Sequence, residues 1–291
     1  MDTTTIVKGA FSLLGEIAPQ TMAGVALRLF TKPQRFAAPP RERPFRDDAE
    51  RSMVDTPVGP VSVLTWSTAE LPWEPRHAPR GTVLLMHGWQ GRGSQLCAFV
   101  EPLLALGFRV VAFDSPAHGD SPGDTADALV FSIALRAVAD HCGDVRVVIA
   151  HSMGGAATNV ALGDGLDVDA VVLLAPPYTV DLVTDDFASQ LRLTPRTRRA
   201  LRREIAKRFH VYAWNRLGKA PVGGRANVAP TLIVHDEDDD EVPFVRGEAL
   251  ANAWPGARLH VTRGLGHRRI LRDPDVVSHV CAFIDGHVTV S

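Results

Sequence analysis

Cysteine is scarce in this 291-residue chain, and so is any excess of one charge. The three cysteines, Cys97, Cys142 and Cys281, are odd in number, far apart and without CxxC spacing. That argues against a disulfide scaffold or a zinc ribbon and for a reducing compartment. Lys and Arg number 31 against 33 Asp and Glu, a net charge of −2, so no global basic field exists to recruit nucleic acid. No apolar run approaches the roughly 18 residues that span a bilayer. The N-terminus opens on Asp2, and Lys8 and Glu16 interrupt the apolar residues that follow, unlike a secretory signal. The expectation is a soluble, cytoplasmic protein.

What is present is enough apolar material, 45% of residues, to bury a large core without covalent help. Short, continuous apolar runs recur: TVLLMH (82–87), VVAFD (110–114), VVIAH (147–151), AVVLLA (170–175) and TLIVHD (231–236), with VSVLTW (61–66) a strand candidate before them and RLHVTR (258–263) the expected last strand. Each is bounded by turn or polar residues, and helical patterns separate most of them. Unbroken hydrophobicity marks strands covered on both faces, as in a parallel sheet between helices, so the fold class is α/β.

Two regions stand outside that rhythm. Residues 1–46 hold a helical pair, Ile6–Ala18 and Met22–Phe30, interrupted at Pro19 and followed by an extended Pro/Arg-rich connector from Lys32 to Arg46. The pair is expected to pack on the main domain, with peripheral membrane contact or self-association as the other uses of such helices. Residues 176–229 lack a core strand. Thr194 and Pro195 open a helix there whose apolar stripe is Leu201, Ile205 and Phe209, with arginines on its other faces. We read this segment as a helical lid inserted between core segments 47–175 and 230–291.

Chemistry concentrates at VVIAHSMGG (147–155), where a strand runs into Ser152 and then into a helix-forming stretch. A serine on so tight a turn needs small residues two positions either side, and Ala150 and Gly154 supply them. Its hydroxyl becomes a useful nucleophile only when an imidazole removes its proton and a carboxylate orients that imidazole. The loop after TLIVH offers carboxylates at Asp236, Glu237, Asp238, Asp239, Asp240 and Glu241. The turn after the last strand offers His267.

These segments together resemble the α/β-hydrolase fold family. His87-Gly88-Trp89 is similar to its oxyanion loop, FDSPAHGDS (113–121) to the loop after its next strand, and AHSMGG to its nucleophile elbow. HDEDDDEVP (235–243) is similar to its acid loop and GLGH (264–267) to its histidine motif. Ala150 and Asp236 depart from the pattern, each standing where the family carries glycine. The resemblance implies a twisted, mostly parallel sheet with helices on both faces and a helical lid. It implies catalytic Ser152, Asp239 and His267, with Asp238 and Asp240 the neighbours that could replace the acid, and an oxyanion hole from the N–H groups of Trp89 and Met153. The expected activity is hydrolysis of a small-molecule carboxylic ester. Thioester or C–C bond cleavage by the same triad, or a silent ligand-binding role, are the alternatives. Gln90, His151, Tyr178, Phe187 and Trp214 are the candidate substrate contacts. No cofactor, metal or nucleic acid is expected.

Overall fold

The computed structural model describes residues 3–67, 80–177, 180–208 and 229–288. Seven of its eight strands fall on the expected strand segments: β2 (Val61–Trp66), β3 (Thr82–Met86), β4 (Arg109–Phe113), β5 (Val145–His151), β6 (Ala170–Leu174), β7 (Thr231–Asp236) and β8 (Arg258–Thr262). The eighth, β1 (Glu50–Val54), precedes them. They form one sheet in the order β1-β2-β4-β3-β5-β6-β7-β8, parallel from β4 to β8 and antiparallel where β2 meets β1 and β4.

Successive side chains explain the unbroken runs. Val83, Leu85, Val147 and Ile149 enter one core with Phe99, Leu103, Phe283 and Ile284, from α4 (Val100–Ala105), the turn before it and the C-terminal helix α11 (Pro274–His287). Leu84, Met86, Val148 and Ala150 enter the opposite core with Phe131, Leu135 and Trp254, beneath α5 (Ala128–Cys142), α6 (Met153–Gly163) and α9 (Val245–Ala253). A large aliphatic side chain fully buried on either face contributes about 1.5–3 kcal/mol.

A third apolar cluster joins the two segments that stood apart in the sequence. α1 (Thr3–Ile17) and α2 (Pro19–Thr31) pack with α7 (Val180–Gln190) and α8 (Pro195–Arg208) around Phe11, Met22, Ala26, Leu193, Leu201 and Ile205. Pro19, read as an interruption, opens α2 from its first turn, where a missing N–H costs nothing. Thr194 caps α8 as expected, its Oγ1 accepting from the Thr197 N–H at 3.3 Å. Gly15 lets the helices close up, since a Cβ there would lie 2.8 Å from Thr197 Oγ1. Phe209, the third residue of the expected stripe, lies outside the described residues.

The connector is a correction. Only 32–39 is extended; a 3₁₀ turn follows at Pro40–Glu42, and α3 occupies Arg43–Asp48, with prolines opening each. Among the described residues no helix is long and apolar enough to cross a membrane.

Candidate active site

The C-terminal ends of the central strands bring the expected residues together. β5 ends at His151 and α6 starts at Met153, leaving Ser152 alone on the turn at φ 50° and ψ −120°. A non-glycine residue at positive φ is strained and persists only when its surroundings fix it. Here the Ser152 N–H donates to the Leu174 carbonyl at 2.9 Å, and the Ser152 carbonyl accepts from the Gly155 N–H at 2.8 Å. The demand for small neighbours is visible in space. A Cβ on Gly154 would stand 2.5 Å from the His87 carbonyl oxygen, and one on Gly88 would stand 2.9 Å from Ser152 Cβ. Ala150 is fully buried, and the sheet accommodates its methyl.

His267 lies in the short helix α10 (Gly266–Arg269), after a turn in which Gly264 and Gly266 take φ of 74° and 62°. Its Nδ1 is 2.8 Å from Oδ2 of Asp239, and both side chains are buried. The other Asp239 oxygen accepts from the N–H groups of Glu241 and Val242 at 2.9 and 2.8 Å. Burial works against ionisation of Asp239. Hydrogen bonds from His235, His267 and the Val242 N–H outweigh it and hold the carboxyl well below its ordinary range. Asp239 therefore remains an anion at neutral pH, and a carboxylate on Nδ1 leaves the far imidazole nitrogen as a base.

The neighbouring carboxylates have other partners. Asp236 is buried and staples the strand end, accepting from Thr262 Oγ1 at 2.7 Å and from the N–H groups of Leu265 and Asp238 at 3.0 Å. Asp238 accepts from the Gly264 N–H at 2.8 Å, while Glu237 pairs with Arg263 and Glu241 with Arg268. Asp240 is exposed. Of this acidic run only Asp239 is hydrogen-bonded to His267.

The Gly88–Trp89 peptide is fixed from its carbonyl side. The Gly88 oxygen accepts from His87 Nδ1 at 2.7 Å and from the Gly91 N–H at 3.0 Å. In a trans peptide the Trp89 N–H then points the opposite way. His87 Nε2 accepts from the Ser115 N–H at 2.9 Å, so its proton resides on Nδ1. Burial pushes the His87 pKa down to about 4, keeping the ring neutral. Met153, the other expected donor, opens α6, where first-turn N–H groups have no partner within the helix. Its side chain is half-buried between the second and third apolar clusters.

The expected substrate contacts divide. His151 is buried beneath His267, ring centroids 4.6 Å apart, with Nε2 3.0 Å from the His267 carbonyl oxygen. Burial holds its pKa well below the ordinary imidazole value. Gln90 is half-buried at φ 57° on the loop after Trp89. Phe187 stands in the third apolar cluster against Phe30, centroids 5.0 Å apart. Tyr178 and Trp214 lie outside the described residues.

One polar network escaped sequence reasoning. Glu42 is buried and grips Arg92 through two bonds of 2.6 and 2.5 Å, while Ser94 Oγ donates to it at 2.8 Å. Next to Arg92, the Gly93 N–H donates to buried Asp114 at 2.6 Å. Asp114 accepts the Asp120 N–H at 2.8 Å, and Asp120 pairs with Arg46 at 2.6 Å. The circuit starts and ends on the connector and anchors Arg92–Ser94, three residues after Trp89. Glu42 stood in a run, PPRERPFR, whose composition signals only a polar, Pro-broken segment.

Comparison with known proteins agrees with this geometry. A family model described as the alpha/beta hydrolase family matches residues 83–280. The chain is 26% identical over 261 residues to a monoacylglycerol lipase of Mycolicibacterium smegmatis, covering 74% of this chain and 92% of that protein. It is 26% identical over 250 residues to a lysophosphatidylserine lipase of Xenopus tropicalis, covering 74% of this chain and 62% of the frog protein's length. An esterase structure from Pyrococcus furiosus superimposes with a TM-score of 0.60 at 19% identity, covering 88% of this chain and all of the other. The strand order, the Ser152 turn and the span of the family match lead to one conclusion: the chain belongs to the alpha/beta hydrolase family.

Proposed function

We propose that this hydrolase cleaves carboxylic esters through a Ser152 acyl-enzyme. The observation that carries the reading is the 2.8 Å contact between His267 and the buried, ionised Asp239, at the sheet edge that also presents Ser152. Asp239 keeps the imidazole proton on Nδ1. Nε2 then removes the Ser152 hydroxyl proton as Oγ adds to the ester carbonyl. The N–H groups of Trp89 and Met153 receive the oxyanion; in a protease, losing one such donor costs roughly 10²–10³ in kcat. Collapse expels the alcohol, which takes the proton from His267. Water, deprotonated by the same nitrogen, then releases the carboxylic acid and regenerates Ser152. Water is the second substrate, and no cofactor takes part.

The lipase and esterase names of the relatives support an ester as the scissile bond. α7 and α8 follow directly from the catalytic edge at β6, and we assign residues 176–229 as the lid, with Leu201 and Ile205 holding it to the cluster beside Met153. In this assignment Phe187, Gln90, Tyr178 and Trp214 meet the acyl or alcohol group, and His151 acts by holding the His267 loop. The test is kinetic. Ser152→Ala should retain the wild-type melting temperature and lower p-nitrophenyl ester turnover by several orders of magnitude. Unchanged turnover in that variant contradicts the proposal. A chain-length series of p-nitrophenyl esters and acyl thioesters on the wild type separates ester from thioester preference.

A further inference from the structure

Large apolar side chains are left uncovered mainly in one place. Ten are exposed among the described residues, and six of them, Leu13, Leu14, Ile17, Val25, Leu29 and Phe36, fall between positions 13 and 36. On α1 the buried residues Phe11 and Gly15 face the protein, while Leu13 and Ile17, 72% and 78% exposed, lie on the opposite side of the helix. At 100° per residue that is an amphipathic helix with an apolar face on each side, only one of which has a partner among the described residues.

The surroundings of the free face are basic, although the whole chain carries −2. Residues 3–41 hold Lys8, Arg28, Lys32, Arg35 and Arg41 against a single acid, Glu16. α8 carries seven Lys and Arg against Glu204 alone. The two helices are locked together: Thr197 Oγ1 donates to the Gly15 carbonyl at 3.0 Å, and Glu16 lies 3.7 Å from Arg196. Ser12 Oγ also reaches the Arg192 carbonyl, at 3.4 Å. Leu13 and Ile17 lie opposite the Gly15 contact, and Arg196 of α8 reaches α1 at Glu16, the residue before Ile17. Some of these cations have acids, with Arg198 and Arg202 on Asp185 and Arg208 on Asp127. Arg199 and Arg203 are exposed on the outer stripe of α8.

We infer that this helical layer is a docking surface for an anionic lipid bilayer, with Leu13, Leu14 and Ile17 entering the interface and the flanking cations meeting headgroups. Apolar residues rimmed by Lys and Arg on a surface helix are the physical requirement for lying in a bilayer interface. A second protein copy would need no such charge excess, since two equally basic faces repel. The location also suits an enzyme of ester-bearing lipids. The cluster that these helices form also takes in Ala156 and Met153 of α6, Met153 being the residue after Ser152, so a docked layer places the bilayer next to the catalytic edge. That last step rests on the ester-hydrolase reading; the docking itself does not.

Flotation with vesicles tests the surface without using turnover. Full-length protein, and the Ser152→Ala variant alongside it, should float with phosphatidylcholine vesicles containing about a third phosphatidylglycerol and far less with phosphatidylcholine alone. The double variant Leu13→Ser/Ile17→Ser should lower partition at least about tenfold. Arg199→Glu/Arg203→Glu should lower it by a similar factor at roughly 0.1 M salt and much less at about 0.5 M. Both variants change exposed side chains and should keep wild-type turnover of a soluble acetate ester. Equal flotation with neutral and anionic vesicles, no flotation at all, or flotation indifferent to both variants would overturn the inference. So would a concentration-dependent dimer that the Leu13/Ile17 variant abolishes, since the face would then belong to a second copy.

Discussion

The sheet and the helical layer above it use the same aliphatic side chains under different constraints. Along β3 and β5 every residue from Val83 to Met86 and from Val147 to Ala150 is fully buried, with a packed cluster on each face. In the layer of α1, α2, α7 and α8 only one side is covered among the described residues, and Leu13 and Ile17 stand in water about half a helical turn from buried Phe11 and Gly15. The two-sided core holds Ser152, Asp239 and His267 at strand ends where a shift of an ångström is costly. The one-sided layer tolerates change and meets whatever approaches the edge. In the proposed reading, chemistry rests on the two clusters that flank the sheet and recognition on the third.

Breaking the core side of this comparison should abolish turnover for every substrate. Asp239→Asn keeps the shape but favours the wrong imidazole tautomer, which in a protease triad costs on the order of 10⁴ in kcat. Asp238→Asn and Asp240→Asn should stay within a few-fold, because neither is hydrogen-bonded to His267. Steady-state rates on an acetate ester check all three. Collapse in Asp238→Asn with Asp239→Asn intact would move the acid.

Next in size is the connector. Glu42→Ala leaves Arg92 buried without its carboxylate, a loss of about 3–5 kcal/mol in stability. Urea unfolding midpoints measure it. Because the Glu42 circuit anchors Arg92 and Gly93, just after the Trp89 loop, variants that still fold should also lose kcat with little change in KM.

On the recognition side, Leu201→Ala removes a fully buried side chain from the helical layer and should cost about 2–5 kcal/mol locally. Its kinetic signature should differ from that of Asp239→Asn: long-chain esters should lose more than acetate. A uniform loss across chain lengths would merge the two regions into one functional unit.

The smallest expected effect is a pH dependence of stability. Burial holds His87 near 4 and His118 near 3, and keeps His151 well below its ordinary value. Unfolding then takes up protons below the unfolded imidazole pKa of about 6.5, so stability should fall as pH drops from about 6.5 toward 4. Melting temperatures across that range should decline steadily; a flat profile would mean these rings are not buried neutral.

The strand set and the Ser152 turn were legible because both follow from local pattern. Unbroken apolar runs marked strands covered twice, and the Ser152 turn announced itself by its small neighbours. β1 was not legible: four of the five residues in Glu50–Val54 are exposed on an edge strand, which needs no apolar pattern. The acid was only partly so. Six carboxylates in a row differ in local pattern by nothing that predicts which one turns toward His267; only the resemblance pointed to Asp239, and the loop geometry, with Val242 and Glu241 N–H groups gripping it, sets that contact. Glu42 and Arg92 were invisible for a related reason, since a buried ion pair between residues 50 apart leaves no local trace. Leu201 and Ile205 of the expected α8 stripe are buried, yet that their partners include α1 and α2 depends on tertiary packing.

The most direct test of the central claim is covalent. A fluorophosphonate ester incubated with the folded protein, followed by peptide mapping, should place one phosphonyl group on Ser152. Labelling should slow sharply in His267→Ala and Asp239→Asn and vanish in Ser152→Ala. Stoichiometric labelling of Ser152→Ala at another serine, or equal labelling rates with and without His267, would contradict the account.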